Sequence, residues 1–111
     1  MESYKFPESD WKLLRRIKDK ALAKACEQAN RGVERIVGKR TGREHEAYLE
    51  LWKFIKKRDR EIANTFDNMS RSNAIYSLIN MVAYGYISKE ELAKFTEETR
   101  EKVLFVTKDG K

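Results

Sequence analysis

From Ser72 to Ser88 the chain reads SNAIYSLINMVAYGYIS, seventeen residues without a charge in a sequence that is 38% Asp, Glu, Lys and Arg. On a helical wheel Ala74, Ile75, Tyr76, Leu78, Ile79, Met81, Val82 and Ala83 take more than half of the circumference, leaving Asn73, Ser77, Asn80 and Tyr84 as a narrow polar strip. A helix apolar on most sides must be covered by several neighbours. The segment is short for a membrane span and carries two Asn, three Ser and three Tyr, so it reads as a helix buried in protein, with no membrane partner.

The helices that would cover it are written in the rest of the chain. Met1 to Ser9 reads as an arm with Tyr4 and Phe6 as anchors, and Ser9 or Asp10 can cap the first helix. From Trp11 apolar residues fall at Leu14, Ile17, Ala21, Leu22, Ala25, Cys26, Ala29, Val33, Ile36 and Val37, a helical period held for seven turns. Ala21, Ala25 and Ala29 would let a partner helix approach closely, and Gly32 weakens the middle by about 1 kcal/mol relative to Ala. Arg15 and Lys18 fall within the apolar arc and should lay their methylenes on the core.

Gly38 to Gly42 (GKRTG) breaks the period, and a short loop between two long helices implies an antiparallel hairpin. The second helix should run from about Arg43 to Phe66 or Asp67, with Ala47, Tyr48, Leu51, Trp52, Phe54, Ile55, Ile62, Ala63 and Phe66 as its inward arc. Ser70 is placed to cap the central helix and Gly85 to end it. Ser88 and Glu91 form a capping box, with Ile87 and Leu92 at staple positions. Thr96 restarts the chain, Val103, Leu104 and Val106 form the last apolar edge, and residues 107–111 should fray. The expected fold is a single all-α domain of four to five helices over residues 1–111, a long antiparallel hairpin plus a buried central helix.

Composition narrows the function classes. The single Cys26 allows neither an internal disulfide nor a cysteine-rich metal site, and it reads as a small hydrophobe packed in the first helix. Together with an opening stretch unlike a signal peptide, this predicts a cytoplasmic protein. The formal charge of +6 lies wholly ahead of Ala74, because the remaining residues hold six basic and six acidic side chains. Such an excess attracts nucleic acid or acidic surfaces, and it also keeps a small domain dispersed.

Each candidate site has a plain structural reading beside it. GKRT at Gly38 to Thr41 has the wrong spacing for a phosphate loop and follows a helix, so it reads as a hairpin loop. His45 lacks a second histidine four residues on, where Leu49 stands, so neither a catalytic residue nor a metal ligand is expected there. Lys53, Lys56, Lys57 and Arg60 share one arc of the second helix, with Lys39, Arg40 and Arg43 in the loop before it. They can contact phosphates, or they can be the solvated face of a helix that also carries Glu46, Glu50 and Glu61. Asp59, Asp67 and Arg71 flank the most apolar helix, where a carboxylate could pair with the guanidinium to fix a helix junction or line a small-molecule pocket.

Arg58-Asp59, the run Phe66-Asp67-Asn68-Met69-Ser70-Arg71-Ser72-Asn73-Ala74, Gly85, Glu90-Glu91-Leu92, Phe95 and Glu98-Thr99-Arg100-Glu101 carry a resemblance. In these residues the chain is similar to a group of small, uncharacterised bacterial all-helical proteins. The resemblance implies a bacterial, cytosolic helical domain and brings no activity, cofactor or binding residue with it. The expected function is that of a non-enzymatic interaction or regulatory protein, working on a protein partner or by self-association. Nucleic-acid binding through the basic arc is the alternative, and a small-molecule site at Asp59, Asp67 and Arg71 comes third.

Overall fold

The computed structural model describes residues 4–109, with side chains as far as Thr107. Helices α1 (Glu8–Gly38), α2 (Glu44–Phe66), α3 (Ala74–Ala83), α4 (Lys89–Leu92) and α5 (Glu97–Asp109) follow one another, with a 3-10 turn at Arg71–Asn73 leading into α3. No strand is present among the described residues. The fold is the small all-α bundle that the periodicity implies. Of the expected arm, residues 1–3 lie outside the described residues, as do residues 110 and 111 of the expected frayed tail.

α1 and α2 form the antiparallel hairpin, turning through Gly42 at φ 83°. They approach closely because α1 offers a small-residue face: Ala21 and Ala25 are each 1% exposed, and Gly32 is buried beneath the Phe54 ring. A Cβ at Gly32 would overlap the Cζ tip of that ring. Gly32, read from the sequence as a weak point in the helix, is therefore a packing position. Gly32→Ala should lose about 1–2 kcal/mol, because overpacking outweighs the ~1 kcal/mol gained in helix propensity. In a Phe54→Ala background the same change should become stabilising, which paired urea melts would read as a reversal of sign.

The uncharged segment lies where α1, α2 and α5 meet, as expected of a central helix. Ala74, Leu78 and Met81 of α3 pack with Leu14, Phe66, Phe95 and Val103 in one core. Its wet side differs from the wheel reading, since Ser77 is buried while Tyr76 is 66% exposed. α3 ends as predicted: Gly85 takes φ 76°, and the Tyr86 N–H reaches back to the Met81 carbonyl at 2.7 Å. The Gly85 carbonyl is held by Gln28 at 3.0 Å, which ties this turn to α1.

The expected capping box is formed. Ser88 N–H donates to Glu91 Oε1 at 2.7 Å, and Glu91 N–H donates to Ser88 Oγ at 3.1 Å. The bond from the Ser88 backbone, with help from Lys20, holds the Glu91 carboxyl below the usual glutamate range. A group depressed in this way stabilises the fold above its unfolded pKa and loses that contribution as pH falls through its folded pKa. Glu91→Ala should therefore cost roughly 1 kcal/mol at neutral pH. The gap from the parent should close as urea melts are repeated toward pH 3.

Two expectations at the chain ends are corrected. Asp10 does not cap α1, which begins at Glu8 behind Pro7 with no side-chain cap. Its carboxylate is 2% exposed and accepts from Thr96 N–H at 3.0 Å, Thr96 Oγ1 at 2.7 Å and Thr99 Oγ1 at 2.6 Å, so the start of α1 holds the start of α5. Tyr4 hydrogen-bonds Thr99 in the same cluster, and Phe6 packs on the core, so both anchors are used. In α5 only Val103 of the predicted apolar edge is buried, whereas Leu104 and Val106 are exposed.

The molecule measures 57 × 27 × 25 Å with a radius of gyration of 16.6 Å, against about 13 Å for a compact chain of this size. Helix lengths explain the elongation. The 23 residues of α2 span about 35 Å, whereas the ten of α3 span about 15 Å. The C-terminal elements thus form a head around one end of the hairpin, and its turn end projects.

Candidate functional site

Tyr48, Trp52, Ile55, Asp59, Ile62 and Phe66 recur along α2 at spacings of four and three, the period of a seam that buries against another helix. The head uses one end of that seam. Phe66 is 5% exposed and stacks on Tyr86 with ring centroids 5.9 Å apart, and Ile62 packs on the core. The other end is open, with Tyr48 57%, Trp52 55% and Ile55 46% exposed. Leu49 beside them is exposed as well. The sequence reading placed Tyr48, Trp52 and Ile55 on the inward arc; Ala47 is buried, whereas Tyr48 only borders the end of α1 near Val37 and all three stand largely open on the flank. The Trp52 indole N–H donates to the Tyr48 hydroxyl at 3.3 Å, so the two rings form one raised surface.

The basic arc borders this surface. Lys53, Lys56, Lys57 and Arg60 are exposed, and among the described residues none has a carboxylate within ion-pair distance. The loop cations are used differently. Arg40 donates to the Val37 carbonyl at 2.7 Å, and Arg43 donates to the Lys39 carbonyl at 3.3 Å and approaches Glu50 at 3.5 Å, while Lys39 is exposed. The seven predicted cations therefore separate into a free row on α2 and a loop group of which two close the turn.

A second apolar surface lies on the head. Ile75, Tyr76 and Ile79 of α3 and Phe105 and Val106 of α5 line a groove of about 750 Å³ with Tyr4 at its edge. Phe105 is 68% exposed, and Glu98, Glu101 and Lys102 stand on the rim. Lys102 Nζ sits 4.8 Å from the centroid of the Tyr4 ring. The sequence reading treated α5 as a closing helix with a three-residue apolar edge and did not identify this groove.

The polar junction is assembled from other partners than those expected. Arg71 makes a bidentate pair with Glu8, at 3.0 and 2.9 Å, and its guanidinium lies 5.5 Å from the centroid of the Trp11 ring. That pair holds the Glu8 carboxyl below its ordinary range and raises Arg71. Asp59 and Asp67 are exposed, eight residues apart, and neither pairs with Arg71. Arg58 instead pairs with Glu61 and covers the Phe54 ring at 5.1 Å, so α2 carries this charge across its apolar arc with a partner of its own.

The remaining chemistry-bearing side chains stand apart. Cys26 is exposed, on the side of α1 turned away from Ala25 and Gly32, contrary to the expected packing. His45 is exposed at the start of α2. Among the described residues no group of three or more His, Cys, Asp and Glu side chains is placed to hold a metal ion, and no helix is long and apolar enough to cross a membrane. No family model, curated protein or solved structure matches the chain.

Proposed function

We propose that this chain is a non-enzymatic helical interaction protein whose projecting hairpin engages a partner through Tyr48, Trp52 and Ile55. The observation that supports this is the half-used seam: residues in line with the partly buried Ile62 and the buried Phe66 are left open where the head ends. Helix-in-groove recognition uses anchors at this spacing. Apolar side chains of this size, clustered rather than scattered, mark a contact surface. A photo-reactive residue at position 52 tests the reading, with the exposed Asn30 as control site. A discrete cross-linked species from position 52 and none from position 30 is expected; labelling that is equal at both positions, or absent from both, removes the proposal.

A second reading is favoured by the row Lys53, Lys56, Lys57 and Arg60, unpaired among the described residues, beside two exposed rings. Stacking on Tyr48 and Trp52 with phosphates on the cations would suit a single strand of nucleic acid. Four phosphate contacts would give log K a slope of about −3 against log salt. Replacing Lys53, Lys57 and Arg60 by Ala should then weaken binding to a labelled oligonucleotide and flatten that slope. The absence of any shift at low salt eliminates this reading.

A further inference from the structure

Resting on the reading of the hairpin as a contact surface, we propose that its occupant is a second copy of this chain, the open seam of one molecule seating in the α3–α5 groove of another. The eight large apolar side chains that stand exposed among the described residues all fall in two places. Tyr48, Leu49, Trp52 and Ile55 are on α2, and Tyr76, Leu104, Phe105 and Val106 are on α3 and α5. Both surfaces are exposed at once, so neither covers the other within one chain.

Charge selects the pairing. The seam is bordered by Lys53, Lys56 and Arg60, three cations against the two carboxylates of Glu44 and Asp59. The groove is bordered by Glu98 and Glu101, with Lys102 as its one cation. Seam against seam would bring lysine and arginine rows together, and groove against groove would oppose glutamates. Seam against groove places opposite signs together along an apolar centre, the arrangement that discriminates against wrong partners. Shape agrees, because a volume of about 750 Å³ falls in the range that takes up a few large side chains. A reciprocal dimer makes the contact twice, which brings two modest patches toward the ~1,200 Å² of a specific interface.

Sedimentation velocity of the full chain over a range of concentrations tests the pairing. The parent should associate increasingly with concentration and less at high salt. Trp52→Glu and Phe105→Glu both alter exposed positions, and circular dichroism would verify that each remains helical. Each variant alone should associate at least tenfold more weakly, and an equimolar mixture should regain a heterodimer, because the groove of the first and the seam of the second are intact. Lys56→Glu with Arg60→Glu should fail alone and recover when mixed with Glu98→Lys/Glu101→Lys. A parent that remains monomeric throughout overturns the inference, even where the cross-link from position 52 identifies some other partner and upholds the broader reading. Association that Trp52→Glu abolishes and Phe105→Glu leaves unchanged also overturns it, since the seam would then be pairing with itself.

Discussion

Asp10→Ala is expected to cost about 2–3 kcal/mol of folding stability, because it removes the one carboxylate that accepts from three donors at the start of α5. The carboxylate is 2% exposed and accepts the N–H and hydroxyl of Thr96 and the hydroxyl of Thr99. Thr96 immediately precedes α5, so the negative charge also sits at the positive end of that helix. The bonds bridge residues 86 and 89 apart in sequence, and their loss should free α5 as a unit. Hydrogen exchange would show it as a collapse of protection from Glu97 onward, with the hairpin amides much less affected. Asp10→Asn keeps one oxygen acceptor and should fall between the parent and Asp10→Ala. A loss below about 1 kcal/mol for the alanine variant, the scale of an ordinary exposed cap, would mean that Asp10 does not hold α5.

What the sequence made visible is what depends on near neighbours. The breaks at Gly42 and Gly85 and the Ser88–Glu91 box are local devices, and the structure contains all three. The seven-turn period of α1 likewise needs no knowledge of the rest of the chain. Asp10 was misread because a side chain just ahead of an apolar run looks like the cap of its own helix, and its true partner stands 86 residues away. The partner of Arg71 was misread in the same way: Asp59 and Asp67 are near in sequence, while Glu8 is near in space.

The seam on α2 was misread for a different reason. Periodicity states which residues share a face, and Tyr48, Trp52 and Ile55 do share one with Ile62 and Phe66. Whether that face is covered depends on the reach of the elements packed on it, and α3 stops at Ala83 after ten residues. Cys26 failed similarly, since its position on α1 would be buried only if a third long helix lay beside the hairpin. The candidate surface was thus present in the pattern but indistinguishable from core.

The same division of the molecule should appear in its energetics. Leu78 is 0% exposed at the centre of the head, where α3 meets α1, α2 and α5. Leu78→Ala should cost about 3–5 kcal/mol, the transfer term plus a cavity that cannot collapse between three helices. Ile36, 7% exposed, lies in the projecting half of the hairpin, with its turn end beyond the head. Because that half can open without unfolding the head, Ile36→Ala should lower global stability by only about 1 kcal/mol while speeding exchange of amides near the turn. Native-state hydrogen exchange at low denaturant separates the two cases. In the parent, amides around Leu78 should exchange only through global unfolding, and those near Gly42 through a cheaper local opening. Equal protection at both ends would mean that the hairpin and head form one cooperative unit.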